Sequence, residues 1–254
     1  MAGQSNVVKT DYFSNFASKV ISGVNDYEVI DNYMFATNSS SGSGSVTLWV
    51  SLNRGKFQQA QIPTASPNTD TSGIKYSLSM ERVLYFSQNT TSAWLRRNTD
   101  FSVVDLHKVM GLRGVYIASQ LTPGQVGHRH IMTQITFNKG GLWQPVAAPE
   151  LDNNGKPLNC SLANRCSLHL SQKFGQYYPR DHYSPIKSWS EAPGIIMATG
   201  TLWYELELND GIFLSSDAGM SWHMILQRPF WWYNLGDHGG VFIAVPRNSL
   251  TNLI

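Results

Sequence analysis

The chain has 254 residues, enough for one large domain or two small ones, and its formal net charge is +2. Charged residues make up only 14% and aromatic residues 12% of the sequence, whereas soluble domains usually carry about 25% charged residues. A net charge this small, with both signs mixed along the chain, argues against nucleic acid or a membrane surface as a partner.

Strands dominate the predicted secondary structure. Short runs rich in β-branched or aromatic residues are bounded by Gly, Pro, Asn or Ser, which is the pattern of β-strands. Because no long segment with the 3.6-residue period of a helix competes with these runs, the sequence predicts an all-β fold. The clearest strand runs are, in chain order, residues 46–52, 114–121, 131–137, 194–201 and 240–245.

One pattern recurs along the chain: a hydroxyl residue, then Asp or Asn, then Gly, then an aromatic residue, at fixed spacing. The two best copies start 79 residues apart, which is about two blades of a β-propeller at roughly 40 residues each. Two weaker copies are Thr69-x-Thr71-x-Gly73-x-x-Tyr76 and Ser51-x-Asn53-x-Gly55. The best copies are Thr136-x-Asn138-x-Gly140-x-x-Trp143 and Ser215-x-Asp217-x-Gly219-x-x-Trp222.

This pattern, known as an Asp box, closes a hairpin turn. The hydroxyl residue ends a strand, and the Asp or Asn side chain accepts hydrogen bonds from backbone N–H groups of the turn. The Gly takes a positive φ, and the aromatic side chain packs under the turn. Repeated copies in strand-rich sequence predict a β-propeller. Asp217 is therefore predicted to be structural and not a catalytic acid.

The two cysteines, Cys160 and Cys166, lie close together in a stretch rich in Asn, Gly and Ser. A disulfide that closes a short loop is one interpretation, and two unrelated thiols are the other. Glycosylation sequons begin at Asn38, Asn89 and Asn159, and they favour a lumenal or extracellular location. Residues 1–19 are polar and lack a signal-peptide core, and no run reaches the roughly 20 apolar residues of a membrane span. We therefore expect the chain to be part of a longer protein.

No motif for phosphate binding, zinc proteolysis or serine hydrolysis is present, and no cofactor or metal is predicted. His128 and His130 lack a third ligand at suitable spacing. Asp237 and His238 are predicted to form a tight turn and not a catalytic dyad. Because Asp boxes also occur in sialidases, a sialidase-like glycoside hydrolase is the alternative function. It fits poorly, since the adjacent Tyr204 and Glu205 would face opposite sides of a strand.

Five sequence blocks, in this order and spacing, resemble the sortilin family of sorting receptors, and in particular its sortilin-related branch. Two shorter matches, at residues 29–37 and 48–51, extend the resemblance over nearly the whole chain. The five blocks are GLRGVYIA at 111–118, ITFNKGGLW at 135–143, NCSLANRCSLHL at 159–170, APGIIMATG at 192–200 and GDHGG at 236–240.

The resemblance implies the lumenal ten-bladed propeller of a type I membrane receptor. Residues 1–254 would then form about four to five blades, a partial propeller domain with a possible internal deletion near residues 63–72. Family members bind peptide or protein ligands, including propeptides, neuropeptides and amyloid-precursor-like cargo, which they carry between Golgi, cell surface and endosomes. The chain would be the ligand-binding portion of such a receptor and not an enzyme, or a receptor fragment without function of its own.

The resemblance also implies site residues. Tyr116 matches a tunnel-facing tyrosine that contacts peptide ligand in the family, and Thr71 and Ser79 fall near the neighbouring contact region. Leu78 stands where the family has a basic residue that pairs with a ligand carboxylate, so that interaction does not carry over. The Cys160 and Cys166 pair matches a disulfide within the domain.

Overall fold

A computed structural model describes residues 5–10, 17–39, 46–61, 66–69, 74–86, 103–121, 131–172, 184–203, 211–227 and 231–246. The described residues form twenty β-strands and two short 3-10 helices. The chain divides into two compact units, Met1–Ser79 and Met80–Ile254. Each unit is built from antiparallel sheets whose neighbouring strands mostly follow one another along the chain.

The first unit contains a five-stranded meander in the order β1-β2-β3-β4-β5, followed by the pair β6-β7. Its small core contains Ile21, Val24 and Ala36, with Val7, Trp49 and Phe57 packed around them. The strands are β1 (Ser5–Thr10), β2 (Ala17–Ile30), β3 (Tyr33–Ser39), β4 (Val46–Leu52), β5 (Gln58–Gln59), β6 (Ser66–Thr69) and β7 (Tyr76–Met80).

The second unit begins with the pair β8-β9 and a four-stranded sheet in the order β10-β11-β12-β13. Within this sheet β11 and β12 pair over six residues, from Tyr116 opposite Thr136 to Leu121 opposite Ile131. The strands are β8 (Tyr85–Phe86), β9 (Val103–Val104), β10 (Leu106–Lys108), β11 (Tyr116–Leu121), β12 (Ile131–Thr136) and β13 (Gln144–Pro145).

A five-stranded sheet and the pair β19-β20 complete the second unit. Strands β14 and β15 both pair with β16, along Gly200–Trp203 and Ala192–Ala198 respectively, so two short strands share one edge of the sheet. The strands are β14 (Ser167–Leu170), β15 (Ile186–Trp189), β16 (Ala192–Trp203), β17 (Gly211–Ser215), β18 (His223–Gln227), β19 (Trp231–Gly236) and β20 (Val241–Pro246), and the 3-10 helices are Leu162–Asn164 and Asp237–Gly239.

The main core lies between the four-stranded and the five-stranded sheet. Ile117 and Ile135 from the first sheet meet Leu168, Ile196 and Phe213 from the second, all essentially inaccessible to solvent. Burying each of these side chains contributes roughly 1.5–3 kcal/mol. The two sheets are therefore held face to face mainly by apolar contact, as neighbouring blades are.

Hydrogen bonds also join these two sheets. The buried Thr133 hydroxyl of β12 donates to the Leu170 carbonyl at 2.7 Å and accepts from the Leu170 N–H at 2.8 Å. Ser119 of β11 donates to the same carbonyl at 3.1 Å. The buried hydroxyl groups of Ser119 and Thr133 are satisfied in this way by the edge strand β14 of the next sheet.

The all-β prediction is confirmed, because the described residues are almost entirely strands in antiparallel sheets. Their architecture, with sheets of four or five strands in sequence order, is that of a partial β-propeller. Each of the five predicted strand runs coincides with a strand of the structure within a few residues. The possible deletion near residues 63–72 falls mostly outside the described residues and stays a prediction.

Candidate functional site

The turn between β17 and β18 contains the better Asp box. The Gly219 N–H donates to the Ser215 Oγ at 2.8 Å, and the Ser215 hydroxyl donates to the Asp217 Oδ1 at 2.8 Å. The Ser221 N–H and hydroxyl donate to the two oxygens of Asp217 at 2.9 and 2.6 Å. Desolvation raises the pKa of Asp217, but the hydrogen bonds from Ser221 and Ser215 outweigh it and hold the pKa below its usual value. An ionised carboxylate used as an acceptor by its own turn is unsuited to act as a catalytic acid.

The aromatic residue of this box lies beneath the turn. Trp222 is buried, and its Nε1–H donates to the Gly219 carbonyl at 3.2 Å. Gly219 has φ +94°, and a Cβ at this position would lie 2.5 Å from the Ile135 Cδ1 of the neighbouring sheet. The glycine thus serves both the turn conformation and the contact between the sheets.

The turn between β12 and β13 repeats these hydrogen bonds, except that of the Ser221 hydroxyl, with Thr and Asn in place of Ser and Asp. The Gly140 N–H donates to the Thr136 Oγ1 at 3.0 Å, and Thr136 donates to the Asn138 Oδ1 at 3.0 Å. The Leu142 N–H donates to the same Asn138 oxygen at 2.8 Å. Trp143 is half-buried here. The closure of this turn therefore requires no negative charge.

Each Asp-box turn also docks on a glycine at the beginning of the second strand of its sheet: Gly114 lies just before β11, and Gly194 is the third residue of β16. The Lys139 N–H donates to the Gly114 carbonyl at 2.9 Å, and the Ala218 N–H donates to the Gly194 carbonyl at 2.8 Å. Both glycines have positive φ, +89° and +92°. Sequence reasoning missed this role. The matching segments GVYIA at 114–118 and GIIMA at 194–198 are the signal that could have revealed it.

A further positive φ is shared by both turns, at the residue before the Asp-box glycine. Ala218 has φ +67°, a conformation that costs a residue with a Cβ roughly 1 kcal/mol. We expect Ala218→Gly to raise the free energy of unfolding by about 0.5–1 kcal/mol. The greater conformational entropy of glycine in the unfolded chain reduces this gain. Urea denaturation would measure it, and a loss of stability would contradict the assignment of strain to this residue.

The weaker copies differ from the two complete boxes. Between β4 and β5, the Ser51 hydroxyl donates to the Gly55 carbonyl at 2.8 Å and does not receive the glycine N–H. Asn53 and Arg54 take the positive φ values there, 53° and 59°. This turn is a tight hairpin and not an Asp-box clasp. In the other weak copy, Thr71 and Gly73 lie outside the described residues.

Of the three predicted ligand contacts, two are described. Tyr116 is the first residue of β11, half-buried, and lies between Lys108 of β10 and Thr136 of β12. Ser79 is a half-buried residue of β7 and belongs to the first unit, whereas Tyr116 belongs to the second. Thr71 lies outside the described residues. All three contacts stay predictions.

A buried polar network that sequence reasoning did not find connects the two main sheets. Asp105, which is 1% exposed, accepts from the Gln172 N–H at 2.8 Å and from the Ser171 hydroxyl. The Gln172 amide contacts the His107 Nδ1 at 3.2 Å, and the His107 Nε2 contacts the Ser188 hydroxyl at 3.0 Å. These residues are far apart in sequence and share no motif, so no pattern predicts that they meet.

Burial lowers the pKa of His107 to about 4, against about 6.5 for an exposed histidine. The unfolded chain then binds more protons than the folded chain between about pH 6.5 and 4, so stability falls as the pH drops through this window. In the wild type we expect the free energy of unfolding to fall by about 3 kcal/mol across this pH window. The His107→Gln substitution should abolish this fall. Urea midpoints between pH 7.5 and 4 would measure it. The exposed His223→Gln is the control, and equal slopes for wild type and His107→Gln would contradict the prediction.

The disulfide and the sequons lie in contrasting surroundings. Cys160 and Cys166 form a disulfide. Asn159 is exposed in the loop that leads to it, Asn38 lies on β3, and Asn89 lies outside the described residues. Asp237 and His238 are exposed on the 3-10 turn before β20.

Only some of the residues considered as catalytic or metal-ligand candidates lie in the part of the chain that the structure describes. No group of three His, Cys, Asp or Glu side chains within them is placed to hold a metal ion. His128, His130, Tyr204 and Glu205 lie outside them. Within the same residues, no helix has the length and apolar character of a membrane span.

Comparison with known proteins identifies the family that the chain matches. The family model described as Sortilin-Vps10 (sortilin, neurotensin receptor 3) matches residues 67–254. The chain is 34% identical to mouse sortilin-related receptor over 289 aligned positions, which cover 98% of the chain and 13% of that protein. The human sortilin-related receptor is 33% identical over 99% of the chain, and human VPS10 domain-containing receptor SorCS3 is 31% identical over 87%.

The chain spans about an eighth of the sortilin-related receptors and 19% of SorCS3. The mouse alignment is longer than the chain, so that receptor contains residues with no counterpart here. These relatives are named as receptors. The Asp-box turns, the sheet order and the match over most of the chain agree, and the chain therefore belongs to the sortilin (Vps10-domain) receptor family.

Proposed function

We propose that the chain is the ligand-binding portion of a type I membrane sorting receptor, on the lumenal or extracellular side, and is not an enzyme. In this role the receptor binds peptides, propeptides or other protein cargo and carries them between Golgi, cell surface and endosomes. The observation that carries the proposal is the family match, which extends over 98% of the chain with receptors as relatives. Because the chain covers only part of those receptors, cargo and route are part of the proposal.

The geometry of the first unit supports binding of an extended peptide. The register of β1 on β2 ends at Val24, whereas β2 continues to Ile30 and pairs there with β3. Tyr27 and Val29 on this segment are 63% and 55% exposed. Exposed aromatic and apolar side chains along a strand offer contact area to an extended peptide.

The second unit offers a different type of contact. Tyr116 is half-buried on an inner strand of its sheet, so it would contact a ligand with its ring and not through a strand edge. Tyrosine suits this role, because it combines a rigid apolar ring with a hydroxyl group. The role of Tyr116 rests on the family resemblance. The hydrogen bonds of the adjacent Asp box do not use the Tyr116 side chain.

The test is binding of a propeptide to the parent receptor that contains this segment. We expect Tyr116→Ala to weaken binding roughly tenfold or more, the effect of losing a central aromatic contact. Tyr116→Phe is the matched control for the ring without the hydroxyl. If the wild-type receptor binds and Tyr116→Ala binds equally well, the role of Tyr116 is wrong. If the wild type binds no peptide or protein cargo, the proposed function is wrong.

A further inference from the structure

The two sequons that the structure describes differ in how their asparagines are used. Asn38 lies on β3 between two partner strands, opposite Val24 of β2 and Thr47 of β4. Its side chain is half-buried, and its Nδ2 donates to the Ser22 carbonyl at 3.1 Å. The nitrogen that would carry a sugar is therefore already used in a hydrogen bond between neighbouring strands of the five-stranded sheet.

Asn159 is in the opposite situation. It follows a hairpin closed by the bridge between Leu151 and Pro157, and it lies outside any strand. Both Asn159 and the sequon hydroxyl residue Ser161 are exposed. Ser161 has extended backbone angles, φ −145° and ψ 158°. Exposed irregular backbone is where glycosylated sequons occur in secreted proteins.

The sequon overlaps the disulfide loop, because Cys160 and Ser161 lie within it and Asn159 directly precedes it. Cys160, the middle residue of the sequon, is bonded to Cys166. The Ser161 carbonyl accepts from the Cys166 N–H at 2.9 Å and from the Asn164 N–H at 3.0 Å. Once the disulfide has closed, the sequon is fixed in a short, compact loop. A transferase that must draw the sequon into its own active site meets a much stiffer substrate after closure than before it.

We propose that Asn159 carries an N-linked oligosaccharide, that Asn38 does not, and that closure of the Cys160–Cys166 disulfide competes with attachment of the sugar. The inference rests on the lumenal location in the proposed function. The donor is an oligosaccharide linked through a diphosphate to a lipid. The Asn159 Nδ2 bonds to the anomeric carbon of the sugar, the bond from that carbon to the diphosphate oxygen breaks, and the amide loses one proton. The lipid diphosphate leaves with the bonding electrons, so the step needs no oxidant or reductant.

The experiment expresses the full chain behind an added signal peptide in a mammalian secretory cell line. Peptide-N-glycosidase converts each occupied asparagine to aspartate, and mass spectrometry then gives the occupied fraction at each sequon. We expect partial occupancy at Asn159, none at Asn38, and complete loss of the Asn159 signal in Asn159→Gln and in Ser161→Ala. Occupied Asn38 or unoccupied Asn159 would overturn the proposal.

The competition is tested with Cys166→Ser, which removes the disulfide and leaves the sequon intact. We expect occupancy at Asn159 to rise toward completion. Gly219→Ala, which perturbs a different turn of the same unit and keeps both cysteines, is the control for general misfolding and should leave occupancy unchanged. Full occupancy in the wild type, no rise in Cys166→Ser, or an equal rise in Gly219→Ala would overturn the competition. Because the added signal peptide imposes the compartment, these outcomes are independent of whether the parent receptor binds cargo.

Discussion

Replacing Gly219 by alanine should destabilise the second unit by about 2–5 kcal/mol. Two costs combine there. A left-handed backbone costs a residue with a Cβ about 1–2 kcal/mol, and forcing a methyl group into a packed interface costs about 1–3 kcal/mol more. The new Cβ would lie 2.5 Å from the Ile135 Cδ1, so either the isoleucine or the turn must move. Thermal and urea unfolding of the purified chain would measure the effect.

Gly155 provides the matched control for this prediction. Its φ is +76°, but a Cβ there would have no atom within 4 Å. Gly155→Ala therefore incurs the backbone cost alone, about 1–2 kcal/mol. If both substitutions cost the same, the contact between Gly219 and the neighbouring sheet contributes nothing.

Removal of the Asp105 carboxylate is the second large effect, with an expected cost of about 2–6 kcal/mol for Asp105→Ala. The substitution leaves the Gln172 N–H and the Ser171 hydroxyl without their acceptor in a buried environment. Unsatisfied buried groups of this kind cost about 1–3 kcal/mol each. Chemical denaturation is the measurement, together with hydrogen exchange at the Gln172 amide, which should lose protection.

Asp152→Ala is the comparison for Asp105→Ala. Asp152 also accepts two backbone N–H groups, from Asn154 and Lys156 at 2.8 and 2.9 Å, but in an exposed turn. Its backbone hydrogen bond from Lys156 lowers its pKa, followed by smaller contributions from Asn154. Water can replace the carboxylate there, so the loss of stability should be clearly smaller. Equal losses for the two variants would show that burial is not what makes the Asp105 network important.

Local sequence patterns predicted the parts of the fold that depend on neighbouring residues. The alternation and turn residues that define β4 and β12 are local, and so are the hydrogen bonds that Ser215 and Asp217 make within seven residues of chain. The disulfide between Cys160 and Cys166 is equally local. For these elements a short segment contains nearly all of the physics that determines its structure.

Contacts between distant segments could not be predicted in this way. Asp105 meets Ser171 and Gln172 only because two sheets pack face to face, and nothing near Asp105 in sequence indicates a buried partner. The strands β14 and β15 share one edge of their sheet because β16 is long enough to pair with both. Tyr116 illustrates the remaining limit, since its role was inferred from related proteins and its surroundings alone do not define a ligand.

The docking of each Asp-box turn on a main-chain carbonyl has a consequence for how blades diversify. The contacts from Lys139 to Gly114 and from Ala218 to Gly194 use only backbone atoms, so they accept a long cationic side chain in one sheet and a methyl group in the other. These contacts require only that the residue before the Asp-box glycine adopts a left-handed backbone conformation. The side chain at this position differs in chemistry between the two sheets, so each Asp-box turn presents its own chemical group at the same place on a common scaffold.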